Sequence, residues 1–169
     1  GEPGGPDSET FYDTGKPHDP KFGPHCHLNC DCGRFLEIGN SVFMQYKKTA
    51  AGWEELKNKN VDFGGGLERI AMVLQEKDSI FKGDLFSRII AKIEELSGKK
   101  YEEDTRSFEV IADHIKAATF IVGDNKGVAP SNTDQGYIVR RLLRRAIRFG
   151  RQLGITQEAW VDKIAQVVV

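Results

Sequence analysis

Apolar and polar positions follow two different periods along this chain, and the change of period divides it. Phe35, Leu36, Ile38, Val42, Phe43, Met44 and Tyr46 mark residues 34–48 as a strand, with Gly39 as a bulge or close backbone approach. Residues 49–60 are polar and predict a turn or a long hairpin loop, followed by a short strand over Val61–Phe63. The period then becomes helical. Leu67, Ile70, Ala71, Val73 and Leu74 predict a helix over Leu67–Gln75. Leu85, Phe86, Ile89, Ile90, Ile93 and Leu96 predict a second, with Asp84 as its N-cap and its end before Gly98.

Beyond an acidic stretch at Glu102–Thr105 the spacing is helical over Ser107–Val122, Gln135–Gly150 and Gln157 onward. The 123–133 segment, with Gly127 and Pro130, reads as a loop. Residues 1–33 are rich in Gly, Pro, His and Asp, and Thr10–Tyr12 is the one strand candidate there. The fold class this implies is α+β: a β-containing piece over residues 1–100 and a helical piece over 101–169.

A length of 169 residues suits one domain or parts of two. The opening in loop suggests an internal piece of a longer protein. No apolar run approaches the ~20 residues of a membrane helix and no signal peptide is evident, so a cytoplasmic location is expected. The net charge of −1 conceals an asymmetry, because six arginines and no acid lie between Ile138 and Arg151. Arg140, Arg144, Arg148 and Arg151 share one helical face, flanked by Arg141 and Arg145, with Ile138, Leu142, Leu143, Ala146 and Ile147 as the apolar side. Such a face either docks a polyanion or is neutralised internally by Glu102, Glu103, Asp104 or Asp113.

Two clusters carry chemistry. In Asp62-Phe63-Gly64-Gly65-Gly66-Leu67-Glu68-Arg69 a strand runs through three glycines into a helix start, so backbone can approach a ligand and unpaired N–H groups can meet an anion. Arg69 adds a planar donor fork suited to phosphate. A tight turn with Arg69 paired to a carboxylate is the alternative. In His25-Cys26-His27-Leu28-Asn29-Cys30-Asp31-Cys32, the thiols of Cys26, Cys30 and Cys32 with the imidazole of His27 could hold a structural Zn²⁺, or the loop could be thiol-rich and reduced. His114 reads as a packed helix residue and His18 as solvent-exposed.

The phrase from Val61 to Gln75 resembles motif 3 of the class II aminoacyl-tRNA synthetases, and of the alanyl enzymes in particular. Gly4 to Asp13, Phe35 to Tyr46, Val110 to Ile115 and Pro130 to Arg145 are similar to the same family in the same order. The resemblance implies the C-terminal part of a class II antiparallel-sheet catalytic domain, followed by the start of a helical tRNA-recognition domain. It implies L-alanine, ATP with Mg²⁺, and the acceptor stem of tRNA(Ala) as partners. Asn40, Val42, Asp62 and Gly64 would then bind alanine, with Asp62 on its ammonium. Gly64, Gly66 and Arg69 would bind ATP, Arg69 on the γ-phosphate, and Glu37 would lie near Mg–ATP. Asn132 would read the G·U pair of the acceptor stem beside Arg140, Arg141, Arg144, Arg145 and Arg148. Gly39 departs from the tryptophan common at its place in bacterial members. The isolated chain is expected to make no adenylate, since motifs 1 and 2 precede this region in the family. The alternatives are a non-catalytic RNA-binding module derived from a synthetase and a metal-dependent regulatory domain.

Overall fold

A computed structural model describes residues 2–169. Four strands, β1 (Pro3–Gly4), β2 (Asp7–Asp13), β3 (Phe35–Thr49) and β4 (Gly52–Gly65), form an antiparallel sheet. Five helices follow: α1 (Leu67–Leu74), α2 (Asp84–Ser97), α3 (Thr105–Gly123), α4 (Asp134–Leu153) and α5 (Trp160–Val168). The class is α+β, as the periodicity implied. The chain forms two compact units, residues 1–83 and 84–169. Their boundary falls ahead of the 100/101 division, because α2 packs with α3 and α5 and buries Phe86, Ile89, Ile90, Ile93 and Leu96. Among the described residues no helix is long and apolar enough to cross a membrane.

In the first unit β3 is the central strand. Val42 faces Asp7 of β2 on one edge and Asp62 of β4 on the other, and Tyr46 likewise lies between Gly4 of β1 and Glu55 of β4. The polar 49–60 segment is mostly strand rather than loop. The chain turns between Thr49 and Gly52, where the Thr49 hydroxyl donates to the Gly52 carbonyl at 3.0 Å. The apolar alternation that would have revealed β4 is missing because nearly all of the strand is exposed. Its register rests on the ladder and on opposed pairs such as Lys47 with Glu54. The same reason hid most of β2, whose polar residues run exposed along the sheet edge. Between Thr10 and Phe11 the β2–β3 register shifts, leaving Ile38 as the extra residue beside Gly39.

The second unit has the larger apolar core. Ile93, Phe108, Ile111, Ile115, Val139, Ala146, Leu153 and Ile164 are all essentially inaccessible. Ile138 was expected on the buried side of α4, yet it is exposed and Val139 takes the core position. Asp104 caps α3, its carboxylate accepting from the Ser107 N–H at 3.2 Å, the Ser107 hydroxyl at 2.6 Å and the Gln152 amide at 3.2 Å. These donors, led by the Ser107 hydroxyl, hold its carboxyl below the usual range. The last helix begins at Trp160 rather than Gln157, and the Trp160 ring lies where a Cβ on Gly150 would be.

Three outcomes are expected in denaturant unfolding followed by helical circular dichroism. Gly150→Ala should destabilise by about 1–3 kcal/mol despite alanine's better helix propensity, because the buried Trp160 ring must move. Gly123→Ala, with open space at its Cβ, should be neutral or stabilising by up to about 1 kcal/mol. Asp104→Ala should cost roughly 0.5–2 kcal/mol at neutral pH. A depressed carboxyl contributes its stability above the unfolded pKa of about 3.9 and loses it as pH falls through the folded value, so the difference should shrink below about pH 4.

Candidate functional site

The register of β3 with β4 sets Asn40 opposite Gly64 and Val42 opposite Asp62. Directly opposed residues share a face, and so do alternate residues along one strand, so these four lie on one face of the sheet. Asp7 and Glu9 of β2, opposite Val42 and Asn40, lie on the same face. Sequence reasoning missed both. Their alternation within Asp7-Ser8-Glu9 was the available signal, masked by a segment read as loop. The Asp62 side chain is exposed and has no hydrogen-bond or ion-pair partner among the described residues, so it is available to a cation. The Phe63 ring lies over Gly39, 3.2 Å from where a Cβ would stand, and so covers the position where a larger side chain was expected.

At the end of β4 the glycine run turns into α1. Gly66 is the N-cap in extended conformation and has no capping side chain. Its N–H donates to the Ile38 carbonyl at 3.1 Å, so the bulge carbonyl ties the helix start to β3. Arg69, in the first turn of α1, donates from Nη1 to the Glu37 carbonyl at 2.7 Å and lies 3.9 Å from the Glu37 carboxylate. The two expected catalytic residues are therefore brought together. Both side chains are partly exposed, which makes the pair weak and displaceable. Glu37 is one carboxylate beside a guanidinium at the start of α1. That donor set fits a phosphate-bound Mg²⁺, which takes one or two carboxylates and leaves its other positions to water and phosphate.

In the second unit Arg140, Arg141, Arg144, Arg145, Arg148 and Arg151 are all exposed, and none makes an ion pair among the described residues. Most of the nearby acids bond elsewhere, and Glu102 makes no ion pair among the described residues. Glu94 accepts from the Tyr101 N–H at 3.0 Å, Glu103 from the Lys100 N–H at 2.6 Å, and Glu109 from the Tyr101 hydroxyl at 2.8 Å. Asp104 is the α3 cap and Asp113 pairs with His114 at 2.8 Å. Asn132 is exposed on the turn before α4, where the Ser131 hydroxyl donates to the Thr133 carbonyl at 2.7 Å and the Ser131 N–H to the Gly136 carbonyl at 3.0 Å. Gly136 permits this turn, since a Cβ there would meet Ser131 and the Ala129 carbonyl. An open groove of about 720 Å³ lined by Ala129, Ser131, Thr133, Asp134 and Gly136 lies beside it.

The thiol-rich loop also closes on itself, with one change of member. His18, Cys26, Cys30 and Cys32 bring their ligand atoms within 4.8 Å of one another. His27 is exposed and outside the group, and His18, expected in solvent, is half-buried within it. The error has a physical cause, since sequence adjacency favoured the neighbour of Cys26 over a residue brought back by a turn. Contact with His18 first, then the Arg34 N–H, pulls the Cys32 thiol down to about 6, while burial raises Cys26.

Residues 1–169 match the family described as tRNA synthetases class II (A). The chain is 50% identical over 169 residues to alanine–tRNA ligase of Borrelia hermsii, covering 98% of this chain and 28% of that protein. The Treponema denticola alanine–tRNA ligase is 48% identical over 157 residues, covering 90% of this chain and 26% of the relative. The Clostridioides difficile alanine–tRNA ligase is 43% identical over 174 residues, covering 99% and 19%.

Proposed function

Since the chain belongs to the class II (A) tRNA synthetase family and spans 28% of the Borrelia hermsii relative, we propose that it works as part of a longer alanine–tRNA ligase. Residues 1–100 would supply the C-terminal part of the catalytic domain, with motif 3, and residues 101–169 the start of the tRNA-recognition region. The observation that carries this reading is the face shared by Asn40, Val42, Asp62 and Gly64, on the strands that lead into Arg69. A free carboxylate beside an amide and a glycine suits a small amino acid, with Asp62 on the ammonium and no side chain at Gly64 to exclude the methyl group.

The reaction implied has two steps. An alanine carboxylate oxygen attacks the α-phosphorus of ATP and pyrophosphate leaves. A ribose hydroxyl of the tRNA 3′ end then takes the alanyl group and AMP leaves. This chain's residues bind and orient: Arg69 and the N–H groups behind Gly66 meet the phosphates, and Glu37 would hold Mg²⁺, which neutralises phosphate charge when bound. Arg69 can leave the half-exposed Glu37 for phosphate at little cost. The unpaired arginines of α4 suit the phosphates of an RNA stem, and the exposed Asn132 amide can donate and accept at base edges in a minor groove.

The arginine face alone would serve a non-catalytic RNA-binding module equally well, and Asp62 separates the two readings. In the full-length ligase, Asp62→Asn should raise the KM for alanine and lower alanine-dependent ATP–pyrophosphate exchange by about 10²-fold, and Arg69→Ala should do the same against ATP. Exchange unchanged in both variants would remove the catalytic assignment. Binding of a tRNA(Ala) acceptor-stem minihelix should weaken with salt. Arg144→Ala should reduce the slope of log affinity against log salt by about 0.7–0.9. Asn132→Ala should narrow the preference for G·U over G·C by about tenfold, the worth of a lost hydrogen bond. Equal affinity of the wild type for both stems would place discrimination elsewhere.

A further inference from the structure

The connection between β2 and β3 has little of its own to hold it. From Thr14 to Arg34 the one regular element is a single 3-10 turn at Pro20–Phe22. Of the described residues in the first unit, only Cys30 and Met72 are buried apolar side chains. A segment so poor in apolar contacts cannot offset its ordering entropy by burial. What converges there instead is three thiols and an imidazole.

The four ligand atoms lie within 4.8 Å of one another, and two of their separations are those of a coordination shell. Cys26 Sγ lies 3.7 Å from Cys32 Sγ, and Cys30 Sγ lies 3.7 Å from His18 Nδ1. Zn–S bonds of about 2.3 Å and a Zn–N bond of about 2.0 Å at tetrahedral angles put ligand atoms roughly 3.5–3.8 Å apart. A disulfide would need about 2.05 Å, and all three cysteines are free. The imidazole is oriented for ligation: Nε2 donates to the Gly23 carbonyl at 2.8 Å, which leaves the Nδ1 lone pair facing the thiols. The Arg34 guanidinium, two residues past Cys32, is forked onto Asp13 at 3.2 and 3.1 Å, which ties the end of the loop back to β2.

We propose that His18, Cys26, Cys30 and Cys32 form a closed, four-coordinate structural Zn²⁺ site that pins the β2–β3 connection. Three thiolates and Zn²⁺ sum to one negative charge. Soft sulfur ligands select zinc over the hard Mg²⁺ of the nucleotide reaction, so the two metals occupy different chemistry in the same unit. Four protein ligands leave no open position, and the role is to hold the loop rather than to react. The inference stands apart from the ligase reading, because it needs neither alanine nor tRNA.

Co²⁺ and Zn²⁺ alone are the probes, added to the reduced, metal-free 169-residue chain and to the full-length protein. The expected result is one equivalent of Co²⁺ with intense visible bands of tetrahedral geometry and a sulfur-to-cobalt charge-transfer band, displaced by one equivalent of Zn²⁺. His18→Gln should weaken zinc binding by at least about tenfold, the loss that even an outer-shell partner causes, while His27→Gln should bind as the wild type does. Absence of the tetrahedral spectrum in the wild type would overturn the proposal whatever the variants do. So would metal loss in His27→Gln with retention in His18→Gln.

Discussion

Strand β3 is hydrogen-bonded along both edges, and the positions of Asn40, Val42, Asp62, Gly64 and Arg69 follow from that. A strand paired on both edges can slip only by breaking two ladders at once, and a shift of one residue would exchange its two faces. The ladder therefore decides that Asn40 and Val42 meet Gly64 and Asp62, with Glu9 and Asp7 on the far edge. Where the ladder gives way, at Ile38, the released carbonyl binds the Gly66 N–H and anchors the start of α1. One bulge thus sets where Arg69 stands relative to Glu37.

The two units reach stability by different means. The helical unit buries a dense set of Ile, Phe, Leu and Val side chains, the ordinary route for α-helices with amphipathic stripes. The sheet unit exposes most of β4, including Trp53, Val61 and Phe63, and relies on backbone ladders and polar closures. The Arg34–Asp13 fork and the thiol–imidazole cluster lie at the base of the β2–β3 connection, where apolar packing is absent. Chemistry that looks peripheral to Glu37 and Arg69 therefore bears on the strand that carries Glu37.

Charge is divided with similar economy in the second unit. Glu94, Glu103 and Glu109 bond to nearby N–H and hydroxyl groups, and Asp104 caps α3. Carboxylates engaged in this way are not available to neutralise α4, and its arginines stay free on the surface. A helix bearing that much unpaired positive charge is costly by itself, and an external polyanion relieves the repulsion.

Much of this was legible in the residue order. The five helices and β3 followed from apolar periodicity, because each buries a stripe or face that the sequence must encode. The glycine run with Arg69, and the arginine face of α4, were also readable, since both are contiguous and their chemistry depends on local spacing. Most of β2 and β4 was not. Their residues are exposed on both faces, so pairing with β3, rather than any pattern of their own, makes them strands. The same holds for Glu9 beside Asn40, for Val139 rather than Ile138 in the core, and for His18 rather than His27 among the thiols. Sequence alone determined which chemical groups this protein carries and which helices it forms. Only the tertiary structure decided which groups meet, because meeting depends on register and on turns that bring back residues distant along the chain.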